Sequence, residues 1–115
     1  MKKMDCATIL LIYNEEKNIA PLTKNILKVY KKNGISGEVL LIDDGSSDGS
    51  AKICDDLTKE FENVRVIHHP TNFGRSYAIQ TGFKEADGDI FIIMDGDYQY
   101  DPKEIPRFLE KVRTG

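Results

Sequence analysis

Four short apolar runs alternate with stretches of helical spacing, and that alternation constrains the fold more than any other feature of the chain. Thr8-Ile9-Leu10-Leu11-Ile12, Val39-Leu40-Leu41-Ile42, Val64-Arg65-Val66-Ile67 and Ile90-Phe91-Ile92-Ile93-Met94 read as strands, the third weaker than the others. Runs this continuously apolar belong to strands buried on both faces. Between them, Ile19, Leu22, Ile26, Val29 and Tyr30 recur at helical spacing, as do Ile53, Cys54, Leu57 and Phe61. Ala78, Ile79, Gly82, Phe83 and Ala86 predict a third helix whose small residues allow close packing on the sheet. Pro21 falls in the first helical turn, where its missing N–H costs little, and Asn33-Gly34 stops that helix. Asp101-Pro102-Lys103-Glu104 supplies an N-cap, a first-turn proline and an acid at the capping-box position. Ile105, Phe108, Leu109 and Val112 predict the apolar stripe of that last helix. Strands alternating with helices imply an α/β fold built of βαβ units, with a mostly parallel sheet and right-handed crossovers.

At 115 residues the chain is one domain or part of one, with no internal repeat, linker or low-complexity segment. A net charge of -3 with scattered Lys and Arg argues against a nucleic-acid surface, which needs clustered cations. Two cysteines, Cys6 and Cys54, make neither a disulfide framework nor a metal spacing, and reduced thiols fit a cytoplasmic setting. Met1-Lys2-Lys3-Met4-Asp5 is too short and polar to open a signal peptide. No apolar run approaches the ~20 residues that span a bilayer. The expected location is therefore cytoplasmic or, in a full-length protein, the cytoplasmic face of a membrane.

Polar residues are distributed unevenly over the connections. The strands run into Tyr13-Asn14-Glu15-Glu16, Asp43-Asp44-Gly45-Ser46-Ser47-Asp48-Gly49, His68-His69-Pro70 and Asp95-Gly96-Asp97. In a parallel sheet those ends share one edge, where open α/β proteins bind ligands. The opposite connections, Asn33 to Gly37 and Ala86 to Asp89, read as plain turns.

Each cluster has a chemical and a plain reading. Asp95 and Asp97 repel: like charges ~4 Å apart at an effective dielectric of ~20 cost about 4 kcal/mol. A divalent cation relieves that repulsion, and oxygen donors suit magnesium or manganese; alternatively Asp-Gly-Asp is only a turn. At least one of Asp43 and Asp44 is expected to accept hydrogen bonds from a base or ribose, while the nearby serines cap the following helix. Asp44, Ser46, Asp48, Gly49 and Asp55 loosely match a calcium loop, but a strand precedes them and Asp replaces the closing Glu. Arg75 holds a phosphate or the nucleoside side of a ligand, or is a surface arginine. His68 and His69 lack partners at metal spacing and read as a satisfied or solvated pair. Tyr98 and Tyr100 shape a pocket or merely pack. Neither a Gly-x-Gly-x-x-Gly fingerprint nor a Walker loop is present.

Taken in order, Tyr13-Asn14-Glu15-Glu16, the Val39 to Gly49 stretch, Asn72-Phe73-Gly74 and Met94-Asp95-Gly96-Asp97-Tyr98-Gln99 resemble the N-terminal half of glycosyltransferase family 2, with the GT-A fold. The similarity is greatest to dolichol- and polyprenyl-phosphate sugar synthases and covers nearly the whole chain. It implies a Rossmann-like three-layer sandwich with sheet order 3-2-1-4. Residues 1–115 would form the nucleotide-sugar-binding part of a GT-A domain whose acceptor-binding part lies beyond Gly115.

By this resemblance Tyr13 and Glu15 line the nucleoside pocket, Asp44 contacts the base, and Asp43 supports it. Asp95 and Asp97 bind metal (Mg2+ or Mn2+) and diphosphate, Gln99 joins the metal shell, and Arg75 is a weaker carry-over. The pattern departs at Leu11, where family members usually carry proline. The implied activity is inverting transfer from a GDP- or UDP-sugar to an acceptor, a lipid phosphate or a saccharide. No catalytic base is identifiable, and the chain alone is expected to be inactive. Its fourth strand would be an open edge, which predicts self-association through Ile90 to Met94 or marginal stability. A non-catalytic nucleotide-binding module and a receiver- or flavodoxin-like domain are the alternatives.

Overall fold

The computed structural model describes residues 4–97 and 101–114. Four strands, β1 (Cys6–Ile12), β2 (Gly37–Asp43), β3 (Val64–His68) and β4 (Phe91–Asp95), form an all-parallel sheet in the order β3-β2-β1-β4. Helices α1 (Ile19–Lys32), α2 (Ser50–Glu60), α3 (Arg75–Glu85) and α4 (Ile105–Thr114) connect and follow them. The sheet order and the strand–helix alternation agree with the expected Rossmann-like, three-layer architecture.

Strand periodicity divides the core into two layers. Cys6, Leu10 and Ile12 of β1 face α1, α2 and α4, packing with Leu22, Ile26, Leu57 and Leu109. Ile9 and Leu11 face the other way, with Leu40, Ile42 and Ala78 of α3. Every residue of β1 and β2 is buried, which is why these strands read as unbroken apolar runs. The small residues of α3 let it lie flush on β1: a methyl group added at Gly82 would meet Ile9 Cγ2 at 2.6 Å. The alternation stops at α3 and α4. Phe83, Phe108 and Val112 are 44–48% exposed rather than buried; Phe83 packs on Phe91 of β4, the edge strand, with ring centroids 5.5 Å apart, and Phe108 borders a groove along the same strand.

Both central strands begin two residues earlier than the apolar runs. The charge of Glu38 hides the start of β2, yet Glu38 is buried. Arg65 grips it through two bonds, Nε to Oε1 at 2.8 Å and Nη2 to Oε2 at 3.1 Å, and the backbone N–H of Asp87 donates to Oε2. Such bidentate pairing is what makes a buried carboxylate tolerable. Leu11, standing where proline was anticipated, simply continues β1, paired to Ile42 and Asp95.

Asp101 caps its turn as expected, its carboxylate accepting from the Lys103 N–H at 3.0 Å. The first turn, Pro102–Glu104, is nevertheless a 3₁₀ turn, with α4 following it from Ile105. Pro106 explains this: it has no N–H to donate to the Pro102 carbonyl, and Ile105 N–H takes that carbonyl instead.

Candidate functional site

The sheet order 3-2-1-4 contains a switch point. The chain moves outward from β1 through β2 to β3, then crosses back to lay β4 on the other flank of β1. Crevices at such points, outside the carboxyl ends of the strands, are where open α/β sheets take ligands. The register sets Ile12 beside Asp43 and Leu11 beside Asp95, so the polar tails of β1, β2 and β4 emerge side by side. A cleft of about 300 Å³ opens there. Tyr13 and Glu15 line it from β1, Asp95, Gly96 and Asp97 from β4, Asp44 from β2, and Asn72, Gly74 and Arg75 from the approach to α3. Six sequence-selected residues are therefore brought together: Tyr13, Glu15, Asp44, Arg75, Asp95 and Asp97. Gln99, along with Tyr98 and Tyr100, lies outside the described residues.

Asp43 does not line the cleft. It is buried beneath it, accepting from the Ser46 N–H at 3.1 Å and contacting His68 Nδ1 at 2.7 Å. Asp44 lies at the surface of the cleft yet is only 5% exposed. Its Oδ1 meets His69 Nδ1 and the Phe73 N–H, both at 2.9 Å, and its Oδ2 accepts from the Gly74 N–H at 3.0 Å. Burial alone would raise this carboxyl; the His69 ring and the two backbone donors outweigh it and hold the group below the ordinary carboxylate range.

Asp44 thus fastens the loop before α3 to the sheet. That loop passes so close to Gly45 that a methyl group there would sit 2.2 Å from the Thr71 carbonyl carbon. Gly45 also has φ +70°, a conformation other residues rarely adopt. Arg75 leaves this loop and spans the cleft to Asp95, with Nε–Oδ1 3.2 Å and Nη2–Oδ2 3.4 Å. Glu15 closes the floor. Its Oε2 accepts from Asn18 Nδ2 at 2.9 Å, and its Cγ lies 3.3 Å from where a Gly96 methyl would be.

The serines after β2 do not cap α2 as expected. Ser46 Oγ accepts from the Asn14 N–H and Ser50 Oγ from the Glu15 N–H, each at 3.0 Å, while Asp48 Oδ1 takes the Ser50 N–H at 2.9 Å. Asn14 returns the bond, its Oδ1 accepting from the Ser47 N–H at 2.8 Å, from a backbone at φ 53°. These stitches between the β1 and β2 tails fix Glu15 against Gly96. The pairing escaped the sequence because Ser and Asx residues serve local caps and distant bonds alike; the side-chain tolerance of Asn for positive φ was the one available signal.

The histidines are satisfied. His68 bridges Asp43 and Asp55 through contacts of 2.7 Å at each ring nitrogen. His69 bridges Asp44 and the Thr81 hydroxyl, at 2.9 Å each.

Electrostatically the cleft is acidic: Glu15, Asp44, Asp95 and Asp97 face a single guanidinium, Arg75. Asp95 and Asp97 present hard oxygen donors. Two carboxylates are what magnesium or manganese commonly takes from protein when phosphate and water complete the shell. No group of three or more His, Cys, Asp or Glu is placed to hold a metal among the described residues. The two carboxylates fit a cation whose remaining ligands are other oxygens, such as phosphate and water.

Fold and cleft together define an open α/β domain with a polar crevice at its switch point, the place where such sheets take ligands. The sequence model of Glycosyl transferase family 2 matches residues 8–115, and the chain belongs to that family. An undecaprenyl-phosphate 4-deoxy-4-formamido-L-arabinose transferase of Proteus mirabilis is 37% identical over 110 residues, which is 95% of this chain and 34% of that protein. A dolichol-phosphate mannosyltransferase of Pyrococcus furiosus is 34% identical over 112 residues, 97% of this chain and 31% of that protein. The chain thus spans about a third of the length of these relatives. Among solved structures, the mannosyltransferase PcManGT of Pyrobaculum calidifontis, in complex with GDP-Man and Mn2+, superposes with a TM-score of 0.78 at 20% identity. That match covers 98% of this chain and 32% of the other. TarS 1–349 of S. aureus, in complex with UDP-GlcNAc, superposes with a TM-score of 0.73 at 27% identity, covering 94% and 30%. The fold is that of the GT-A glycosyltransferases. No helix among the described residues is long and apolar enough to cross a membrane.

Proposed function

We propose that this chain forms the donor-binding part of an inverting glycosyltransferase that moves a sugar from a nucleoside diphosphate to a polyprenyl or dolichyl phosphate. The observation that carries the reading is the cleft itself. It gathers four carboxylates and one guanidinium at the switch point of a sheet. A diphosphate would be repelled by such a lining unless a cation stood between them. Asp95 and Asp97, with Gln99 as a third ligand, would hold magnesium or manganese there. When bound, that ion neutralises the charge on the departing diphosphate.

The chain's own side chains do the rest. Tyr13 and Glu15 flank the nucleoside, Asp44 meets the base, Asp43 holds the Asp44 strand end in place, and Arg75 turns toward the phosphates. An acceptor oxygen attacks the anomeric carbon from the face opposite the diphosphate. The bond from that carbon to the phosphate oxygen breaks, and configuration inverts. A phosphate acceptor is already anionic and needs no base, which fits a cleft where we assign none. The lipid phosphates in the names of the relatives, undecaprenyl and dolichol phosphates, support the lipid class. An acceptor of that kind supports reading the whole protein as one that works at the cytoplasmic face of a membrane.

We also read the chain by itself as a binder rather than a catalyst. Transfer assays with a nucleotide sugar and a short polyprenyl phosphate test this directly, and turnover by these residues alone would contradict it. The donor site is tested by calorimetry with nucleoside diphosphates, with and without manganese, on the wild type and Asp97→Ala. Metal-dependent binding lost in Asp97→Ala supports the site; equal binding by both proteins removes Asp97 from it.

A further inference from the structure

The hydrogen bonds around Asp44 leave little of its carboxylate for a ligand. An ionised carboxylate offers about four acceptor positions and no donor. Two are taken on Oδ1, by the His69 ring and the Phe73 N–H, and one on Oδ2, by the Gly74 N–H. One position remains, on Oδ2. His69 is fixed in this role from behind. It is 8% exposed, its Nε2 rests on the Thr81 hydroxyl at 2.9 Å, and its ring packs against Phe73 and Tyr77, with centroids 5.0 and 5.4 Å away. Because the carboxylate only accepts, His69 Nδ1 carries the proton that it donates to Oδ1.

Nucleobases differ in what they ask of a carboxylate. Guanine presents two adjacent donors, N1–H and the 2-amino group, and needs both carboxylate oxygens at once. Uracil presents one imide N–H between two carbonyls. Cytosine, of the same size, presents an unprotonated ring nitrogen at that position and would set a lone pair against the carboxylate. We propose that His69, by filling Asp44 Oδ1 together with the Phe73 N–H, is a specificity-determining residue that leaves a single outward hydrogen bond and so selects uracil-type donors over guanine and cytosine.

The inference rests on the proposed donor site, and one experiment separates the two. UDP, CDP and GDP are titrated calorimetrically into the full chain with manganese present. A buried polar group left unpaired disfavours a mismatched ligand, so UDP binds about tenfold or more tightly than either competitor. GDP or CDP binding as well as UDP overturns the selectivity while leaving the donor site standing. No binding by any of the three overturns both. His69→Phe keeps the ring and removes its donor. It raises GDP affinity relative to UDP several-fold, and an unchanged ratio in a variant that folds as the wild type by circular dichroism removes His69 from the selection.

Discussion

Arg75 lays its guanidinium along the Asp95 carboxylate across the mouth of the cleft, at 3.2 and 3.4 Å. The two side chains are 61% and 28% exposed, so water screens the pair and it adds little to stability. A diphosphate entering the cleft would offer Arg75 a more highly charged partner than Asp95, one that guanidinium binds through two parallel bonds just as it binds a carboxylate. Arg75→Met should therefore change unfolding free energy by less than about 1 kcal/mol. It should weaken nucleoside diphosphate binding by roughly tenfold, the value of one or two charged hydrogen bonds. Arg75→Lys should recover only part of that affinity. Chemical denaturation and calorimetry on the three proteins check both halves.

The pH dependence follows from His68. Burial alone would lower its pKa; the bonds to Asp55 and Asp43 outweigh burial and raise it above the ordinary 6.5. A raised folded-state value means that the protonated ring stabilises the fold. That contribution is complete below pH ~6.5 and is lost as pH climbs through the higher folded-state value. Asp44 works in the opposite sense: its lowered value adds stability above the ordinary carboxylate range, lost as pH falls through the folded-state value. Denaturation midpoints should decline from pH 6 to pH 8, and His68→Gln should flatten that decline. An unchanged slope would show that the bridge does not titrate.

Gly45→Ala should be far more costly than an average loop change. Its backbone has φ +70° and an added methyl would lie 2.2 Å from the Thr71 carbonyl carbon. Strain and overlap together cost more than about 2 kcal/mol. The loop bearing Arg75 moves as a consequence, so donor affinity falls with stability. Urea unfolding alongside calorimetry reports both, and a variant as stable as the wild type would contradict the close approach.

Among the described residues the outer edge of β4 has no strand neighbour in the sheet, and partly buried Phe91 and Ile93 flank a groove shared with Ile105 and Phe108 of α4. Unpaired strand edges bordered by apolar surface invite another chain. The chain by itself is predicted to self-associate there. Sedimentation at rising concentration should show dimers or larger species, and Phe108→Glu, at a 44% exposed position, should shift them toward monomer. A wild-type chain that stays monomeric at high concentration would contradict the prediction.

Much of this architecture was legible because burial on both faces leaves an unmistakable residue pattern. Ile9 to Ile12, Leu40 to Ile42 and Ile92 to Met94 needed no tertiary information to be assigned as strands. The cleft was legible for a related reason: polar residues collected at one set of strand ends, and parallel strands share an edge. What stayed hidden depends on partners distant in sequence. Glu38 is a core residue only because Arg65 reaches it. His69 matters only because Asp44 is its neighbour in space. Ser46 and Ser50 look like caps until Asn14 and Glu15 arrive beside them. Phe108 and Val112 fit a helical stripe by spacing, but spacing does not say where the sheet ends. Pro106 was a local signal, and its missing N–H accounts for the 3₁₀ turn.

The central claim is that the tails of β1, β2 and β4 form one donor cleft, with those of β1 and β2 on the nucleoside and the β4 carboxylates on a cation-bridged diphosphate. Paramagnetic broadening by manganese tests it most directly, read on the amide resonances of the isotope-labelled chain with UDP and, separately, with GDP. The account predicts selective loss of signal at Glu15, Gly96 and Asp97, only when nucleotide and manganese are both present. Broadening centred elsewhere, such as the groove between β4 and α4, or none at these residues with either nucleotide, would contradict it.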